Sequence, residues 1–106
     1  MDANIESFIK HYCSHVFQYD GNACIVIGGQ NDLKLYSATN SPLMMVPVYD
    51  IDAGEIFNVA LYDISVAKKL RKVESSDYEF CAVQDWHRYD ETQEIIDTLD
   101  SVNHFD

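Results

Sequence analysis

Residues 23–28 (ACIVIG) place the strongest constraint on how this chain can fold. Every position is apolar and three of the side chains are β-branched, which is typical of a strand without a solvent-facing side. Because both faces of such a strand must be covered, the segment predicts a central strand of a sheet with other elements packed on each side.

The N-terminal residues 3–17 predict an amphipathic helix. Their apolar positions follow the i, i+3, i+4, i+7 spacing of one helical face: Ile5, Phe8, Ile9, Tyr12, Cys13 and Val16. Residues 19–22 (YDGN) supply the turn residues that end this helix and lead into the central strand.

Two segments after the central strand predict further strands. Residues 33–38 alternate Leu33 and Leu35 with polar neighbours, so that after a turn at 28–32 they form a hairpin with the central strand. Residues 43–49 (LMMVPVY) are apolar, but Pro47 has no N–H to donate to a ladder. We therefore expect this strand at a sheet edge or with a bulge.

Residues 55–62 (EIFNVALY) fit both a strand and a helix that begins with a capping-box pattern, Asp52-x-x-Glu55. A helix extended to residue 72 would place Asp63 and Arg71 in its apolar arc, so the strand is preferred.

The remaining pattern predicts two short elements before the C-terminal region. Residues 64–73 indicate a short helix that carries the basic sequence KKLRK, and residues 78–84 (YEFCAVQ) alternate as a last strand.

The C-terminal residues 85–106 predict an acidic amphipathic helix, with seven of the eighteen acids of the chain and one base. Its apolar residues share one arc: Ile95, Ile96, Leu99 and Val102. Glu94, Asp97 and Asp100 recur three residues apart, where like charges destabilise a helix by roughly 0.2–0.5 kcal/mol per pair. The pattern therefore favours a surface that is kept negative for a partner.

Length and composition indicate one globular domain over residues 1–106, with 47% hydrophobic residues. The expected fold is α+β, an antiparallel sheet of four to five strands with the N- and C-terminal helices packed on one face. The chain has no apolar run near the roughly 20 residues of a membrane span and no signal-peptide pattern, and its three cysteines include no C-x-x-C pair. We therefore expect a cytoplasmic protein.

The formal net charge of −11 is unevenly distributed, because four of the seven bases lie together: Lys68, Lys69, Arg71 and Lys72. The rest of the chain is strongly acidic. Such a surface repels nucleic acids and membrane headgroups and attracts cationic proteins.

The sequence contains no strong motif for metal binding or catalysis. His11 and His15 have the spacing of two metal ligands on a helix, but no third ligand is evident. Asp50-x-Asp52-x-Gly54 lacks the glycine and glutamate positions of a calcium loop, and no cysteine has an evident histidine base. We expect no metal, no cofactor and no enzymatic activity; a small enzyme with a Cys/His site is retained as an alternative.

The predicted partner-binding residues form three groups, namely helix carboxylates, aromatic anchors and turn carboxylates. They are Glu94, Asp97 and Asp100; Trp86 and Tyr89; and Asp50, Asp52 and Glu55.

In size and charge the chain resembles the immunity proteins of bacterial toxin systems, without a shared motif. The resemblance implies a protein that inhibits a basic nuclease toxin by covering its cationic active-site groove. The alternative is a phage-encoded nucleic-acid mimic, whose carboxylates replace phosphates and block a host defence complex.

Overall fold

The computed structural model describes residues 3–84 and 92–103, and it describes the side chains in these ranges except at positions 30, 80–84, 94, 102 and 103. The strands are β1 (His15–Tyr19), β2 (Asn22–Val26), β3 (Met45–Asp50), β4 (Glu55–Ala60) and β5 (Lys69–Lys72). The α-helices are α1 (Ala3–Phe8), α2 (Gln30–Thr39), α3 (Leu61–Val66), α4 (Ser75–Gln84) and α5 (Gln93–Asn103). A π-helical turn, Ile9–Cys13, directly follows α1.

The described strands form a five-stranded sheet of order β4-β3-β2-β1-β5, in which all neighbours are antiparallel. β2 is the middle strand, and four consecutive side chains from Cys24 to Ile27 are buried. The π-helical turn contacts both β2 and α5, so the N- and C-terminal helical segments meet. The predicted α+β fold and the central position of β2 are confirmed. None of the described helices has the length and apolar character needed to cross a membrane.

The N-terminal helical prediction is correct through Cys13 and wrong from residue 15 onward, where β1 begins. Val16 satisfies both the helical spacing and a buried strand position. β1 has a hydrogen-bonded neighbour on each side, β2 and β5, and this long-range pairing decides the conformation.

The predicted strand at 33–38 and its hairpin are wrong, because this segment lies in α2. Leu33 and Tyr36 are buried three residues apart, whereas Leu35 is exposed. The Asp32 carboxylate accepts a hydrogen bond from the Gly29 amide at 3.1 Å, and Asn40, in the left-handed conformation, closes the helix through its N–H to Tyr36 O at 2.8 Å.

β3 is an internal strand, so the expected edge position or bulge is wrong. The Pro47 carbonyl accepts a hydrogen bond from Ile27 N at 3.0 Å, just beyond the last β2–β3 pair, Val26 and Val48. The nitrogen and oxygen of a strand residue point to the same neighbour, so the missing donor of Pro47 falls where β2 ends. β4 confirms the strand that was preferred over a capped helix.

The predicted helix at 64–73 is wrong, because α3 ends at Val66 and the basic residues form the edge strand β5. All four residues of β5 are exposed, so the segment carries no alternation of buried and exposed positions that would identify a strand. Its conformation comes from antiparallel pairing with β1.

The predicted strand at 78–84 is also wrong, because it lies within α4. The Asp77 carboxylate accepts a hydrogen bond from the Glu74 amide at 2.8 Å and binds the Arg71 guanidinium through two contacts of 2.6 and 2.9 Å. Ser75, Ser76 and Asp77, which are residue types common in turns and at helix N-termini, therefore form the first turn of α4. The Tyr78 hydroxyl, which is buried, donates to Val26 O at 3.2 Å and ties α4 to the central strand.

Candidate functional site

The acidic turn between β3 and β4 uses its first carboxylate internally. Asp50 is 6% exposed. Its Oδ2 accepts a hydrogen bond from Asn22 Nδ2 at 2.8 Å, and its Oδ1 accepts one from Ala53 N at 2.9 Å. The Asp50 side chain therefore holds the turn together and joins it to β2, and it is not presented to solvent.

The other two predicted residues of this turn are exposed. Asp52 Oδ2 accepts a hydrogen bond from Ala23 N at 2.8 Å, beside a backbone bond of 2.8 Å from Ile51 N to Ala23 O. Glu55 lies opposite Asp50 in the β3–β4 register. The turn therefore exposes Glu55 and part of Asp52 to solvent, on a backbone fixed to β2.

Helix α5 presents carboxylates on its solvent side. Asp97 and Asp100 are exposed, while Ile95, Ile96 and Leu99 are buried as predicted. Asp97 Oδ1 accepts a hydrogen bond from Gln93 Nε2 at 3.0 Å. The backbone of Glu94 lies in α5, but the Glu94 side chain, together with Trp86 and Tyr89, lies outside the described part of the chain.

Among the described side chains, the bases of β5 form no salt bridge with Asp97 or Asp100. In the residues that the structure describes, the one salt bridge joins Arg71 to Asp77, at 2.6 Å. β5 lies at a sheet edge, and α5 contacts the π-helical turn and α4. Asp97 and Asp100 thus have no described cation within salt-bridge distance.

An exposed apolar surface lies at the start of β3 and was not predicted from the sequence. Leu43 is 84% exposed, and Met45, Tyr62 and Val66 are also exposed. Backbone hydrogen bonds of 2.9 Å from Leu61 N to Met44 O and from Tyr62 N to Pro42 O bring the loop before β3 against α3. The unbroken apolar run Leu43–Met45 in the sequence was the available signal.

The two described thiols are poor nucleophiles. Cys13 and Cys24 are buried. Burial raises the pKa of Cys13 well above its ordinary range, and burial together with the nearby Asp50 and Asp52 raises the pKa of Cys24 to about 12. Thiolate is the reactive form of cysteine, so these two residues offer little nucleophile at neutral pH. The Cys81 side chain lies outside the described part of the chain.

The two histidines with metal-ligand spacing do not share a helical face. His11 lies in the π-helical turn and His15 begins β1. The described residues contain no group of three or more His, Cys, Asp or Glu side chains that could hold a metal. His11 lines a cleft of about 210 Å³ between α1 and α2 with polar neighbours that include Asn4, Ser7 and Ser37.

The comparisons with known proteins add no relative: the chain matches no protein-family model, no curated protein sequence and no solved structure.

Proposed function

We propose that this protein is an acidic inhibitor of the immunity-protein kind, which acts in the cytoplasm and neutralises a basic nuclease toxin. One observation carries the proposal: the chain has eighteen acids and seven bases, and the described residues contain a single salt bridge. Exposed carboxylates that lack an internal cation create a field that attracts a cationic surface.

Helix α5 supplies the main contact. Asp97 and Asp100 are three residues apart, which places their Cβ atoms about 5–6 Å apart on one helical face. Sequence spacing puts Glu94 in the same series. A helix backed by the buried Ile95 and Leu99 holds these charges in a fixed line, suited to a groove that binds the phosphates of a nucleic acid.

The β3–β4 turn supplies a second acidic contact through Asp52 and Glu55. Asp50 contributes indirectly, because its buried carboxylate fixes the turn that carries them. Trp86 and Tyr89 remain predicted apolar anchors, since tryptophan and tyrosine are enriched among residues that dominate binding energy. The carboxylates accelerate the encounter with the toxin more than they set the final affinity.

The test is to capture the partner with the tagged chain and to assay the nuclease activity of the captured protein, alone and in complex. We expect a basic protein whose nuclease activity is lost in the complex. The double variant Asp97→Lys/Asp100→Lys should bind it roughly tenfold more weakly, a change of about 1.4 kcal/mol.

The matched control is Glu6→Lys/Glu74→Lys, which changes the net charge equally at positions on α1 and before α4. It should bind almost as the wild type does. Equal losses in both variants would place the contact elsewhere, and a captured protein that is acidic, or whose nuclease remains active, would contradict inhibition. Displacement of DNA from several unrelated binding proteins would instead identify a nucleic-acid mimic.

A further inference from the structure

A small cleft forms where the π-helical turn, β1, α3 and β5 meet. Its polar lining comprises His11, His15, Ser65 and Lys69, and the side chains of Tyr12, Phe17 and Ile64 complete the wall. Its volume is about 20 Å³, enough for one oxygen-sized atom. Residues far apart in the sequence meet here because β1 pairs with β5, with Phe17 opposite Lys69.

The hydrogen bonds around His15 fix its neutral tautomer. Ser14 Oγ donates to Lys10 O at 2.6 Å and lies 2.9 Å from His15 Nδ1. A hydroxyl has one proton, and the Ser14 proton is already donated, so the His15 Nδ1–H must donate to Ser14 Oγ. The lone pair of neutral His15 is therefore on Nε2, and Nε2 is the atom that can take up a further proton.

The surroundings of His15 are positive, although the whole chain is acidic. Burial, and then the ammonium groups of Lys69 and Lys72, lower the pKa of His15. Among the described side chains, no carboxylate lies within salt-bridge distance of Lys69. The other titratable groups of the lining are His11 and the phenol of Tyr12, while α3 contributes only Ile64 and Ser65.

We infer that this cleft binds a tetrahedral oxyanion, of the phosphate type, between Lys69 and the rings of His15 and His11. One oxygen enters the cleft and the others remain at its open mouth. Lys69 provides three N–H donors. His15 provides a further donor once Nε2 takes a proton from solvent. Ser65 is not required as a donor, because its hydroxyl already donates to Tyr62 O at 2.7 Å.

Protection of the sheet edge explains part of this arrangement but not all of it. Lysines on an exposed edge strand discourage pairing with other chains, which accounts for Lys69 and Lys72. Edge protection does not require the two histidines, His11 and His15, that line the cleft with Lys69. It also does not require the hydrogen bond to Ser14 that places the lone pair of His15 on Nε2. An oxyanion would neutralise the positive charges that now oppose protonation of His15.

The test is to follow the ring C–H signals of the histidines by NMR as the pH changes, in chloride and in inorganic phosphate at equal ionic strength. Binding to the protonated form alone raises the pKa of His15 by about one unit when phosphate is tenfold above its Kd. Sulfate, also a tetrahedral oxyanion, should raise it, and acetate should raise it much less.

The variant Lys69→Gln should abolish most of the phosphate-dependent rise, whereas Lys34→Gln, which removes an exposed lysine from α2, should leave it intact. In chloride, Lys69→Gln should raise the pKa of His15, because a like charge has been removed. A His15 pKa that is equal in chloride and phosphate for the wild type would overturn the inference, whatever the variants do. An undiminished rise in Lys69→Gln would overturn it as well.

Discussion

The two acidic regions of the molecule use the same kind of side chain in opposite ways. In the β3–β4 turn, the carboxylates of Asp50 and Asp52 accept three hydrogen bonds from groups of the protein itself. On α5, Asp97 accepts one bond from the neighbouring Gln93 and Asp100 is exposed. The turn carboxylates determine the local structure, whereas the helix carboxylates contribute charge at the surface.

This difference gives the two regions opposite effects on stability. Removing a buried acceptor leaves its donors unsatisfied, which costs the desolvation of those groups. Removing an exposed acid from a series of like charges relieves repulsion. The same loss of one negative charge should therefore destabilise the protein at Asp50 and stabilise it slightly on α5.

The largest expected effect is that of Asp50→Ala. This change removes the acceptor of Asn22 Nδ2 and Ala53 N, and we expect the free energy of unfolding to fall by about 2 kcal/mol. Urea unfolding followed by circular dichroism measures it. The control Glu55→Ala, at an exposed position of the same hairpin, should change the value by less than about 0.5 kcal/mol. Equal effects at both positions would show that the Asp50 carboxylate does not hold the turn.

A smaller effect of opposite sign is expected for Asp97→Asn/Asp100→Asn. The amides keep the size of the side chains and remove a like-charge pair three residues apart, worth roughly 0.2–0.5 kcal/mol. Asp100 also lies in the last turn of α5, where a carboxylate costs about 0.3–1 kcal/mol. The free energy of unfolding should rise by about 0.5 kcal/mol at low salt, and the gain should shrink as salt is added. A loss of stability at low salt would mean that these acids, like Asp50, serve the fold.

The spacing of apolar residues identified the elements whose buried positions follow a regular pattern along the sequence. β2 was predictable because its run of apolar residues leaves no face suited to solvent. The buried face of α5 was predictable because Ile95, Ile96 and Leu99 follow helical spacing. α2 was missed because Leu33 and Leu35 alternate like a strand, although the core uses Leu33 and Tyr36. β5 was missed because its four exposed residues are defined only by pairing with β1.

The sequence predicted those residues of the candidate sites that are marked by their charge and by helical spacing. The sequence placed Asp97 and Asp100 on the solvent side of a helix, as observed. It could not distinguish Asp50 from Glu55, because the buried role of Asp50 depends on Asn22, a residue of another strand. The cleft at His15 and Lys69 could not be predicted either, since the pairing of β1 with β5 joins residues about half the chain apart.

The association rate of the captured partner, measured over a range of ionic strength, tests the proposed role of α5 most directly. If the carboxylates of α5 form the binding surface, the wild-type rate constant falls steeply with added salt. Asp97→Lys/Asp100→Lys should then associate roughly tenfold more slowly at low salt and depend less on salt, whereas Glu6→Lys/Glu74→Lys should retain nearly the wild-type rate and slope. Equal rate constants and equal salt dependence for the wild type and the α5 variant would contradict the account.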